Sequence, residues 1–290
     1  MNLSVGTFGL VAAVAFFGIT ATYAQNTQSN GQAAPSLQGQ GQRQGQQGGN
    51  AAQGKNGQEQ AQGRGPAIDP AEEAGVKAFN AATTDDAKIQ AGEDFEQKFP
   101  NSRYIGVVQG TLVTLYYNKQ DWAKFYPEAD KALAKDPDNV PVLTLVGWVI
   151  PRIYNASDPT EPAKLDQSEK DEKHALELIS SMQKPPALTD DQFNQAKASA
   201  ASQAHSGLGM TYFRKNDYQN SSKELESATT ETTDIDPADL YILGVDYQKL
   251  NRNSDAAAAF GKCAAIPGGL QDTCKKSASA LQGSALTPNQ

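Results

Sequence analysis

Reactive side chains are scarce in this chain. Its 290 residues include two cysteines, Cys263 and Cys274, two histidines, His174 and His205, and two tryptophans. Nucleophilic or acid-base catalysis needs a compact set of reactive groups, and so thin a supply offers little to build one. His174 follows the charged run SEKDEK (168–173), which reads as a solvated helix face. His205 adjoins Ser206, but successive residues on a helix do not face each other, and a Ser-His pair also needs an orienting third group. There is no phosphate-binding loop, dinucleotide fingerprint or H-E-x-x-H. The ten residues between the cysteines are too many for a close metal-ligand pair. No catalytic residue, metal or cofactor is expected.

Positive charge is also in short supply, with 25 Lys and Arg against 33 Asp and Glu. The segment 25–66 carries Arg43, Lys55 and Arg64 against Glu59, so the overall charge of -8 leaves -10 on the chain from Ala67 onward. An acidic body lacks the basic face that phosphate contacts require, so nucleic acid is not an expected partner. Long apolar runs are absent apart from Val5 to Ile19, within the first 24 residues. That run, followed by small residues, reads as a secretory signal cleaved after Ala24, although no Lys or Arg precedes it. At fewer than the roughly 20 residues of a bilayer span, it would serve as an anchor only if left uncleaved. The mature chain is therefore expected to be exported, periplasmic or secreted, with no integral membrane span. Residues 25–66 hold 13 Gln, 10 Gly, no aromatic and a single large aliphatic, Leu37. Such a segment cannot offset its ordering entropy, so a disordered linker is expected there, and a short disordered tail over 284–290.

From Asp69 onward Ala, Lys, Glu, Gln and Leu dominate and apolar residues recur at three and four, which predicts an all-helical domain over 67–283. Two stretches repeat. LGMTYFRKNDYQNSSKELESA (208–228) and LGVDYQKLNRNSDAAAAFGKC (243–263) both open with Leu-Gly, place Tyr three after the Gly and a small residue twelve after it, and put Leu225 or Phe260 sixteen after it. Their glycines are 35 apart.

These stretches resemble the tetratricopeptide repeat, a helix-turn-helix unit of about 34 residues. Leu208, Gly209, Tyr212, Ser221, Leu225 and Ala228 match in one unit, and Leu243, Gly244, Tyr247, Ala256 and Phe260 in the next, with Cys263 at the last position. In this reading Gly209 and Gly244 let paired helices approach, Ser221 and Ala256 receive them, and Leu225 and Phe260 fill the space between successive hairpins. A further unit lies at 112–139, with Phe125 and Ala129 exchanging the usual small and large residues; Gly147 marks another, and 74–102 reads as a hairpin. Pro151 is expected to kink or end its helix. Residues 155–190 read as an insertion between the helices of one hairpin, and the long stretch from Thr189, with Gln192 completing a capping box, reads as one helix to Arg214.

The resemblance implies a right-handed α-solenoid of stacked hairpins, closed by a C-terminal capping helix of roughly 269–283 and exposing a concave groove lined by the first helix of each hairpin. Spacing from the glycines makes Tyr117, Trp148, Arg152, Met210, Phe213, Arg214, Tyr241 and Gln248 the groove candidates, with Met210 and Trp148 equally readable as interhelix packing. Arg and aromatic residues suit peptide anchors. The Lys and Asn clamp of the family's chaperone-tail binders has no counterpart, because Ser206, Met210, Tyr241 and Val245 occupy its positions. In an exported chain a disulfide between Cys263 and Cys274 would fix the cap to the last repeat, the alternative being two free buried thiols. The expected function is a non-catalytic protein- or peptide-binding scaffold of the cell envelope. Two alternatives stand beside it: a factor organising other exported proteins or cell-wall parts, and an enzyme or carbohydrate-processing accessory with its site in 155–190.

Overall fold

A computed structural model describes residues 69–285. The predicted signal and linker, and residues 286–290 of the predicted tail, lie outside the described residues. Among the described residues there are eleven helices and no strand: α1 Pro70–Ala81, α2 Asp85–Lys98, α3 Ile105–Asn118, α4 Trp122–Lys135, α5 Val140–Arg152, α6 Glu161–Ser181, α7 Asp190–Arg214, α8 Tyr218–Ala228, α9 Pro237–Lys249, α10 Asn253–Ala265 and α11 Gln271–Ala285. Each helix packs on the next, so the domain is a solenoid of five stacked hairpins closed by α11.

Local chemistry sets the helix starts. The side chains of Asp69, Thr84, Asp121, Asn139, Thr189, Asp217 and Asp236 each accept a bond from an orphan N–H of the first turn. Thr189 and Gln192 form the predicted capping box, and α7 runs unbroken for 25 residues. Three hairpins turn in the same way. Gln120, Asn216 and Asn251 have φ of 54°, 62° and 59°, and in each case the next residue's N–H reaches back to the carbonyl of Tyr116, Tyr212 or Tyr247. These are left-handed positions, where Asn is tolerated better than most residues other than Gly.

Two expectations are corrected. Residues 155–190 do not interrupt a hairpin with a foreign element: α6 is the second helix of the hairpin that α5 begins, and it packs against both α5 and α7. The run SEKDEK is not a solvated face, since Ser168, Asp171 and Glu172 are buried while Lys170 and Lys173 remain exposed. Pro151 sits one residue before the end of α5, next to the expected break.

The core falls into several clusters that change character along the stack. Around α2 to α5 it is aromatic and aliphatic, with Phe95, Leu112 and Phe125 at its centre. Where α5, α6 and α7 meet it becomes small, built of Val140, Leu143, Ala175, Ile179, Ala200 and Ala204. At this junction Gly147 and Gly207 bring α5 and α7 so close that a Cβ on Gly207 would lie 3.1 Å from the backbone of Gly147. The carboxyl of Glu172 from α6 is wedged against both glycines.

The end of the stack is covered. Ala278 and Leu281 of α11 pack on the cluster of Met210, Leu225, Ile242 and Phe260. Cys263 and Cys274 form a disulfide with Cα atoms 5.8 Å apart, both fully buried beside Leu240.

Candidate functional site

The first helices of successive hairpins, α3, α5, α7 and α9, converge on Arg152. This residue ends α5 and is only 5% exposed. Its guanidinium lies 3.7 Å from the centre of the Trp148 ring, one turn earlier on the same helix. Nη2 donates to Ser206 Oγ of α7 at 2.7 Å, to Asp239 Oδ1 of α9 at 3.1 Å and to Asp236 Oδ2, in the cap of α9, at 3.1 Å; Nη1 donates to the Trp148 carbonyl at 3.1 Å. The Ser206 hydroxyl in turn donates a hydrogen bond to Asp239 Oδ1 at 2.8 Å. From α3, Tyr117 meets Trp148 edge-on with ring centres 6.1 Å apart, and burial pushes its phenol pKa up.

Burial also raises Asp239, reinforced by the neighbouring carboxylate of Asp236, while Arg152 and Ser206 pull the other way. A buried ion pair of this kind contributes little net stability while intact, but removing one partner strands the others. The cluster thus links three hairpins through α5, α7 and α9.

The eight predicted groove residues divide sharply. Tyr117, Trp148 and Arg152 are brought together, as a buried or half-buried unit rather than an open surface. Met210 is corrected: it is 0% exposed, inside the α7 to α11 core, because the closely packed α9 covers it. Phe213 is half-buried and meets Tyr218 edge-on, Tyr241 leans on Phe260, and Gln248 is exposed near the end of α9. Arg214, half-buried at the end of α7, donates from Nε to the Pro151 carbonyl at 2.8 Å and lies 5.7 Å from the Tyr154 ring. Sequence reasoning missed Tyr154, Asp236 and Asp239. A cap signal at Asp236-Pro237 was readable, but nothing local pointed it toward Arg152.

Neither histidine meets a nucleophile. His174 Nε2 lies 2.7 Å from Asp138, and His205 sits between Glu224, at 2.7 Å, and Glu231, at 3.5 Å, while Ser206 is committed to Arg152 and Asp239. Among the described residues no group of three or more His, Cys, Asp or Glu could hold a metal ion, and no helix is long and apolar enough to cross a membrane.

The repeat-packing residues occupy the interfaces between paired helices. A Cβ on Gly209 would strike Leu225, one on Gly244 would strike Phe260, and Ser221 Oγ donates to the Gly209 carbonyl at 2.9 Å. Leu225 and Phe260 therefore face the glycine of their own hairpin, and both also belong to the cluster that joins α7 to α9 and the cap. The other matched residues, Leu208, Leu243, Tyr247, Ala228 and Ala256, are buried, and Tyr212 is half-buried. These hairpins are tetratricopeptide-like.

No family model and no curated protein matches the chain. Solved structures that it is similar to include a thermophilic tetratricopeptide-repeat protein of Thermus thermophilus, 14% identical, covering 72% of this chain and 96% of that one at a TM-score of 0.44. Another is a tetratricopeptide-repeat protein of Parabacteroides merdae, 11% identical, covering 72% and 96% at a TM-score of 0.29. Likeness of this size carries nothing about function, and the tetratricopeptide-like description stands on the chain's own turns and glycine contacts.

Proposed function

We propose that the chain is a non-catalytic scaffold that binds a protein or peptide along the face formed by α3, α5, α7 and α9. One observation carries this reading: half-buried Trp148, Phe213, Arg214 and Tyr241 lie on α5, α7 and α9, and Arg152 ties those three helices together through Ser206 and Asp239. Rigid aromatic and Arg side chains lose little entropy when they anchor a partner, and a pre-set curvature lowers the cost of binding further. The scarcity of reactive groups fits the same reading.

We place the protein in the envelope of its cell. The apolar run at 5–19 supports export, and the Cys263–Cys274 disulfide suits an oxidising compartment. A role in organising other exported proteins would use the same face.

The test is site-specific photocrosslinking in the native host, with p-benzoylphenylalanine at Phe213 or, as control, at exposed Lys223 on α8. A discrete polypeptide adduct from position 213 and none from 223 is expected. Equal adducts from both positions, or none from either, would remove the support for a binding face.

A further inference from the structure

We propose that the partner segment carries an acidic side chain, and that Arg214 with Tyr154 is the subsite that takes its carboxylate. This rests on the binding reading above and specifies the chemistry of what binds. The cations buried or partly buried nearby are matched: Arg152 has Asp236 and Asp239, and Lys215, the very next residue, has Asp166 and Glu169. Arg214 is the exception. Its Nε is committed to the Pro151 carbonyl, its face to the Tyr154 ring, and no carboxylate pairs with it among the described residues.

That arrangement is costly as it stands. Burial disfavours the charged guanidinium, Tyr154 offsets part of that, and the like charge of Arg152 adds to the penalty. In a chain carrying a net charge of -8, with acidic residues plentiful, a half-buried Arg without a carboxylate partner stands apart from the matched cations around it. The remaining guanidinium donors suit a planar acceptor, because Arg matches carboxylate geometry through paired N–H groups. The half-buried Tyr154 ring beside the guanidinium provides apolar surface, which favours an acidic residue within a peptide over a free small anion. The subsite lies at the C-terminal end of α7.

The experiment is selection of a displayed random decapeptide library on the full chain, followed by affinity measurement of enriched peptides. The expected peptides carry Asp or Glu at a fixed place beside an aromatic or aliphatic residue. Replacing that Glu by Gln in the peptide, which leaves the protein's folding untouched, should cost about tenfold or more in Kd, as should Arg214→Gln, with Arg214→Lys retaining part of the affinity. Peptides that lack an acid, or whose Glu→Gln forms bind equally, would overturn the subsite; if those still lose affinity on Phe213→Ala, the binding face survives without it. A library that yields no binder counts against both.

Discussion

Arg152 shows how one side chain can decide an architecture. Its partners lie 54, 84 and 87 residues away in sequence and on different helices, yet all reach one guanidinium nitrogen. Arg152→Ala should destabilise the domain by about 3–5 kcal/mol, since it leaves Asp239 buried without its counter-ion. Chemical denaturation of the full chain, read by far-UV circular dichroism, measures the loss. Glu172 is the opposite case: it is 0% exposed and neither carboxyl oxygen has a hydrogen-bond partner. Burial raises its pKa well above the ordinary range, as it does for Asp246, pushed up to about 7, and for Glu128. Such groups ionise near pH 4 when the chain unfolds but keep their proton when folded, so the unfolded state binds fewer protons above pH 4. Their stabilisation is complete below about pH 4 and is lost as pH rises towards 7. Glu169 runs the other way: its pKa is drawn down to about 2 by Lys173 and Lys215 against the effect of burial, so its contribution is lost only as pH falls from about 4 towards 2. The melting temperature is therefore expected to peak near pH 4 and fall as pH rises towards 7, with Glu172→Gln flattening that decline. A Glu172→Gln melting curve as pH-sensitive as the parent's would contradict this assignment.

At the scale of helices, the α5, α6 and α7 junction is the unusual element. Gly207 has no room for a methyl group, because a Cβ there would lie 2.0 Å from Glu172 Oε1 and 3.1 Å from Gly147 backbone. Gly207→Ala should cost about 1–3 kcal/mol, as overpacking does in a filled core. Adding Glu172→Ala should recover part of that loss, which a double-mutant cycle would register as coupling. The cap makes a second element-scale prediction. Cys274→Ser opens a loop of eleven residues, worth about 3 kcal/mol by loop entropy, so melting should shift downward and α11 amides should exchange faster. The hairpins themselves were legible in the sequence because their glycine, tyrosine and small-residue positions are local and periodic. The α6 junction was not. Local charge density made SEKDEK look solvated, while the glycines that enclose Glu172 lie 25 residues before it and 35 after it.

For the whole molecule, the sequence displayed the solenoid and its cap more clearly than the binding face. Spacing placed Tyr117, Trp148 and Arg152 on one face correctly enough that they touch, but spacing carries no information on depth, and Met210 and Arg152 turned out to be buried. Depth depends on how closely successive hairpins approach, which is set by Ser206 and Asp239 on other helices. Trp148, Phe213, Arg214 and Tyr241, from α5, α7 and α9, are half-buried, and the proposed role depends on their forming one face. Amide hydrogen exchange of the full chain, with and without a saturating library-selected peptide, examines it directly. Protection confined to α3, α5, α7 and α9, with α6, α8 and α10 unchanged, is the predicted pattern. Protection on α6, α8 and α10, or no change anywhere under saturation, would contradict a binding face on the first helices of the hairpins.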